Sequence, residues 1–149
     1  MVWFRKREKP KTKAEWVPGY EMTRYKNWTR QVLRSDPRSV CDLSGLDSSR
    51  AKVSGVSYWV GDQESPRPGG LSYLLILEPE NEFDSKAVAV YFGRRKVGHL
   101  SAVRAAAFTK LLAGLPFDAY RVNGMLENGK YPKLDLPTMP ALRAFVSSL

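Results

Sequence analysis

Between two apolar runs of this 149-residue chain lie seven residues, Pro79-Glu80-Asn81-Glu82-Phe83-Asp84-Ser85, in which a ring stands among acids. A ring can stack on a flat base, and a neighbouring carboxylate can accept a hydrogen bond from a hydroxyl. Phe83 is therefore either a plug for the core or an open stacking platform. Asp84 either caps its own turn, or caps it and also accepts from a ligand. Asn81 fits turn chemistry. Tyr58 and Trp59 fall in VSGVSYWV (53–60), which reads as a strand, so they should face opposite ways with at most one lining a site. His99, beside Gly98 at a strand end, is either a satisfied structural residue or a ligand contact. Arg104 either snorkels or ion-pairs, or it contacts a phosphate.

Other chemistries are poorly served. Asp84-Ser85-Lys86 matches the D-x-K half of a metal-dependent nuclease signature, but its earlier acid would have to be Asp62, which no Pro precedes and which lies in a loop too flexible to place a metal. Glu78, Glu80, Glu82 and Asp84 alternate as in a calcium loop, yet the Gly and the bidentate Glu of that loop are missing. No G-x-x-x-x-G-K-[ST] occurs. With one cysteine (Cys41) and one histidine (His99), the chain builds neither a disulfide nor a zinc knuckle. Nothing supplies a third group or an oxyanion hole for a Cys–His pair. The expectation is a protein that is no enzyme by itself and needs no cofactor.

The elements that must hold these residues follow from pattern. LSYLLIL (71–77) and KAVAVYF (86–92) read as strands covered on both faces, and Gly93-Arg94 turns the second into RKVGHL (95–100). Ser101 reads as the N-cap of a helix stopped by Gly114 and Pro116, with Ala107, Phe108, Leu111 and Leu112 on one face and Arg104 among them. Asn128-Gly129 splits residues 117–136 into a hairpin, and Thr138 with Pro140 opens a last short helix. Residues 20–33 have near-helical spacing, and 34–51 read as a turn-rich linker.

The charge is lopsided. Residues 1–50 hold 12 basic and 6 acidic side chains, and residues 51–149 hold 12 and 9. The basic run RKREKPKTK, followed by Trp16, Tyr20, Tyr25 and Trp28, fits a flexible arm over 1–17 that binds a polyanion. No apolar stretch approaches the roughly 18 residues of a membrane span. A cytoplasmic protein without a membrane partner is expected. The chain divides into a basic arm and linker (1–50) and a mostly β domain of the α+β class (51–149).

From Val53 to about Pro140, some 60% of the chain, the order of motifs resembles the HIRAN domain. The residues that carry the likeness are Gly55-Val56-Ser57-Tyr58, then EPENEFDSKAVAV (78–90), then Val97-Gly98-His99-Leu100 and the helix after Ser101. The resemblance implies a six-stranded, OB-like or SH3-like barrel with two small helices. It also implies capture of single-stranded DNA at a free 3′ end, alone or beside a helicase or nuclease partner. By that likeness Phe83 stacks on the terminal base and Asp84 accepts from the 3′-hydroxyl. Tyr58 and Trp59 are the aromatic pair by the same likeness; His99 and Arg104 join the candidate set from their own positions, Arg104 as a phosphate contact in place of cations the chain lacks. The chain departs from the family at Ser57 and Ala102, where end-binding members carry cations. That loss favours the alternative of a protein-binding adaptor, and the D-x-K nuclease is the remaining one.

Overall fold

The computed structural model describes residues 16–149; the basic arm, up to residue 15, lies outside them. Nine strands form one mostly antiparallel sheet, with three short helices. β1 (Tyr20–Arg24), β2 (Thr29–Leu33), β3 (Val40–Asp42) and β4 (Ser48–Lys52) come first, then the single turn of α1 (Val56–Trp59). β5 (Ser72–Leu77), β6 (Val88–Phe92), β7 (Arg95–His99) and α2 (Ala102–Leu112) follow, then β8 (Ala119–Glu127), β9 (Tyr131–Pro137) and α3 (Met139–Ser147). The ladder runs β1-β2-β7-β6-β5-β8-β9-β4, with β3 parallel to β8.

Both faces of the middle strands are buried, as their unbroken apolar runs require. Leu75, Val88, Val90 and Val97 join Phe108 and Leu112 of α2, Leu142 of α3 and Leu134 of β9 in the main core. Ile76, Ala89 and Tyr91 point the other way and pack with Leu33 of β2, while Trp16 and Leu74 lie against them. The Ser101 hydroxyl caps α2 by accepting from the Arg104 amide, and Thr138 caps α3 by accepting from that of Ala141. Asn128 and Gly129 both take positive φ in the β8–β9 turn.

Several expectations are corrected. Residues 20–33 form no helix. Thr29, Gln31 and Leu33 are buried while Arg30 is exposed, a period of two, and the strand pairs with β1 from Tyr20↔Leu33 to Arg24↔Thr29. The linker over 34–51 contains β3 and β4, strands too short for alternation to announce them. No strand forms over 53–60: β4 ends at Lys52, Ser54 makes only an isolated bridge, and Gly55 at φ 73° turns the chain into α1. Tyr58 and Trp59 are therefore neighbours on one helical turn rather than residues on opposite faces. The buried stripe of α2 is Ala105, Phe108 and Leu112, so Arg104 lies off it and is exposed. Among the described residues the helices number three rather than two.

The sheet is also open, not a closed six-stranded barrel. β2 occupies part of the β7 edge that closure would need, through Val32↔Arg95. A single bridge joins the chain after β4 to the other end of β7. There the Ser54 amide donates to the His99 carbonyl at 2.8 Å, and the His99 amide donates to the Ser54 carbonyl at 2.9 Å. Gly98 makes that approach possible. A Cβ at this position would lie 2.4 Å from the Ser54 carbonyl oxygen and 2.5 Å from Val53 Cγ1. Gly98→Ala must push backbone apart, and it is expected to cost at least about 1–3 kcal/mol in urea unfolding. An unchanged midpoint would show that the bridge yields freely.

Candidate functional site

The connection from β5 to β6 is organised by one partly buried carboxylate, that of Glu78. Glu78 follows the last residue of β5, and its amide donates to the Ala87 carbonyl at 2.9 Å, closing the base of the loop. Glu78 Oε2 accepts from Lys96 Nζ at 2.7 Å, and Oε1 accepts from Asn81 Nδ2 at 3.0 Å and His99 Nε2 at 2.8 Å. Burial opposes ionisation of Glu78, but the His99 hydrogen bond, the Lys96 charge and hydrogen bond, and Asn81 outweigh it, and its pKa falls to about 2. An ionised carboxylate only accepts, so His99 Nε2 carries the proton it donates. Lys96 is 4% exposed, and burial pushes its ammonium below the usual range against the pull of Glu78. The geometry is that of a charged pair, each member the other's counterion.

Asn81 carries this order to the tip. Its Oδ1 accepts from the amides of Phe83 (2.9 Å) and Asp84 (3.1 Å), while its own amide donates to the Glu78 carbonyl at 3.0 Å. The two amides that fix the Phe83 backbone are thus satisfied inside the loop, and the ring is left 91% exposed. It plugs nothing. Asp84 is half-buried; its Oδ1 caps the turn by accepting from the Lys86 amide at 2.9 Å, and Oδ2 has no hydrogen-bond partner among the described residues.

The aromatic pair stands on the far side of the Glu78 hub. Lys96 Nζ lies 4.3 Å from the Trp59 ring centroid, and the His99 ring lies 6.0 Å from it. Tyr58 meets Trp59 edge-on at 4.8 Å and is 44% exposed. Its hydroxyl accepts from Arg24 Nη1 at 2.9 Å. A continuous chain of contacts therefore links Asp84, Asn81, Glu78, His99, Trp59, Tyr58 and Arg24, with Phe83 at its tip. Of the expected residues, Phe83, Asp84, Tyr58, Trp59 and His99 belong to it. The Arg104 side chain makes no hydrogen bond, ion pair or ring contact with it.

In sequence Glu78 is met only as one of four alternating acids, and neither the burial of Lys96 nor the approach of Arg24 is foreseen. Glu78 had a signal, since it opens the E-P-E-N stretch at a strand end. Lys96 had none, because its burial depends on cover that no local pattern encodes.

The remaining chemistries find little support in placement. Lys86 sits in a turn, two residues before β6, rather than in the strand where a D-x-K site needs it. No group of three His, Cys, Asp or Glu side chains that could hold a metal occurs among the described residues. Cys41 is buried in the main core, where burial, and then the Asp42 charge, raise its thiol pKa, the reverse of an activated nucleophile. No helix among the described residues is long and apolar enough to cross a membrane. No family model, no curated protein and no solved structure matches the chain.

Proposed function

We propose that this chain is a HIRAN-type module that binds single-stranded DNA at a free 3′ end, with no reaction of its own. The observation that carries the reading is the exposed Phe83 ring on a loop whose backbone is hydrogen-bonded from within. A lone exposed ring is ordinary on a protein surface; what supports a use here is its place beside Asp84 on a loop whose backbone is hydrogen-bonded from within. Beside the ring, Asp84 Oδ2, without a hydrogen-bond partner among the described residues, can accept from a terminal sugar hydroxyl. The Tyr58 ring offers a second stacking surface along the same chain of contacts. Although Ser57 and Ala102 bring no cation, Arg24 reaches Tyr58 from another element.

Base–aromatic stacking is worth roughly 1–3 kcal/mol per base. Phe83→Ala is therefore expected to weaken binding of a single-stranded oligonucleotide with a 3′-hydroxyl by about 5- to 150-fold, read by fluorescence anisotropy. Because the ring packs on nothing, the melting temperature should stay within about a degree of the parent's. Equal affinities of variant and parent would overturn the site.

A further inference from the structure

The acidic loop around Phe83 cannot hold the phosphates that trail a captured end. Glu80, Glu82 and Asp84 flank the ring. The nearby basic run is already neutralised. Arg94 pairs with Asp36 at 2.9 Å, Arg95 donates to Glu64 at 2.6 Å, and Lys96 is buried on Glu78. Beyond exposed Lys86 in the loop itself, a polyanion bound along this site needs further cations, and the element that reaches the aromatic pair carries two.

That element is the β1–β2 hairpin. Arg24 ends β1 with its guanidinium 5.9 Å from the Tyr58 ring centroid, and one of its five N–H donors is given to the Tyr58 hydroxyl. Neither Arg24 nor Lys26, at the tip, has a carboxylate partner among the described residues. The tip is clamped. Tyr25 and Trp28 stack at 4.0 Å with their planes 14° apart, and the Tyr25 amide donates to the Trp28 carbonyl at 2.8 Å. The Arg95 guanidinium lies 5.5 Å from the Trp28 ring centroid. On the body of the protein Gly61 meets Trp28 so closely that a Cβ there would be 2.7 Å from Trp28 Cε2. Arg24 is therefore presented from a braced turn, so little ordering entropy is lost on binding a phosphate.

We infer that the hairpin is the phosphate-binding wall of this site: Arg24 and Lys26 take the backbone of the nucleotides 5′ of the captured end, with half-exposed Tyr25 beside them. The inference rests on the proposed end-binding role and extends it to residues outside the segment that resembles the family. Charge complementarity fixes the occupant as a phosphodiester strand.

The test is the salt dependence of binding of one single-stranded DNA oligonucleotide by the full chain. Each phosphate contact on a single strand contributes about 0.7 to the log–log slope, or roughly 2.6-fold in affinity between about 50 and about 200 mM salt. Arg24→Gln with Lys26→Gln should lower the slope by about 1.4, shrinking the salt effect roughly sevenfold. Arg24→Lys keeps the charge and should keep the parental slope. The preference for a 3′-hydroxyl over a 3′-phosphate end should survive all three substitutions. An unchanged slope in the double variant, with end preference intact, overturns the hairpin assignment alone. Loss of the slope in Arg24→Lys as well overturns it too, since the effect is then structural. A lowered slope in a protein that shows no end preference overturns the end-binding reading and leaves the hairpin as a general phosphate surface.

Discussion

Replacing Glu78 by Ala is expected to lower the folding free energy by about 3–5 kcal/mol, because Lys96 then keeps a buried charge without its counterion. Lys96 is 4% exposed and donates to Glu78 at 2.7 Å, so water has little access to replace the carboxylate. The same substitution frees Asn81 and His99 from their shared acceptor, and end binding should fall along with stability. Glu78→Leu combined with Lys96→Met removes both charges and should recover most of the loss, the signature of a pair whose rupture costs more than its absence. Urea unfolding at neutral pH measures both, and a loss below about 1 kcal/mol for Glu78→Ala would show that the hub is not structural.

The pH dependence has a definite sign. In the folded chain Glu78 titrates near 2, below its usual value of 4.5, so the unfolded chain binds the proton more readily. Its contribution, on the order of 3 kcal/mol, is complete above about pH 4.5 and is lost as pH falls toward about 2. Across that window the parent should lose stability more steeply than Glu78→Gln. Parallel pH profiles would contradict the assignment.

Asp84→Asn should erase most of the discrimination between strand ends while leaving the fold intact. The amide oxygen of Asn can still cap the turn by accepting from the Lys86 amide, as Asp84 Oδ1 does at 2.9 Å. The negative charge, however, is gone. A 3′-phosphate carries about −1.5 to −2 charges, and each unit pair at about 4 Å costs about 1 kcal/mol even at the dielectric of water. The hydroxyl's hydrogen bond to a charged acceptor adds about 1.5–3 kcal/mol in favour of the unmodified end. Salt screens part of this total, so a tenfold preference in the parent is a lower expectation. Competition anisotropy on the variant should bring the two ends to within about threefold, and a full parental ratio in Asp84→Asn would assign discrimination elsewhere.

Where structure is decided by near neighbours in sequence, the residues announced it. Ser101 and Thr138 cap the helices that follow them, Asn128-Gly129 turns a hairpin, and the runs of β5 and β6 are buried on both faces. Where remote partners decide, they did not. β2 pairs along its whole length with β1. What docks that hairpin on the sheet is Val32 opposite Arg95 on β7 and Gln31 Nε2, which donates to the Tyr91 hydroxyl at 2.7 Å, and neither of these two contacts is written in residues 20–33. Its spacing was compatible with helix, and tertiary pairing overrode that. β3 is a strand because β8 lies parallel to it. Gly55 is a local signal of the opposite kind: its left-handed turn takes Tyr58 and Trp59 out of the expected strand.

The site divides along the same line. The Phe83–Asp84 loop was legible because turn chemistry and ring sit within four residues of Asn81. Its Glu78–Lys96 support and the Arg24 contact join segments far apart in the chain, and only the folded sheet brings them together.

The decisive measurement is a titration of the full chain with two fluorescent single-stranded DNA oligonucleotides of one sequence, one ending in a 3′-hydroxyl and the other in a 3′-phosphate. Binding of the hydroxyl end at least tenfold more tightly is the expected result. Equal affinity, or tighter binding of the phosphate end, would contradict capture of a free 3′ end by Phe83 and Asp84.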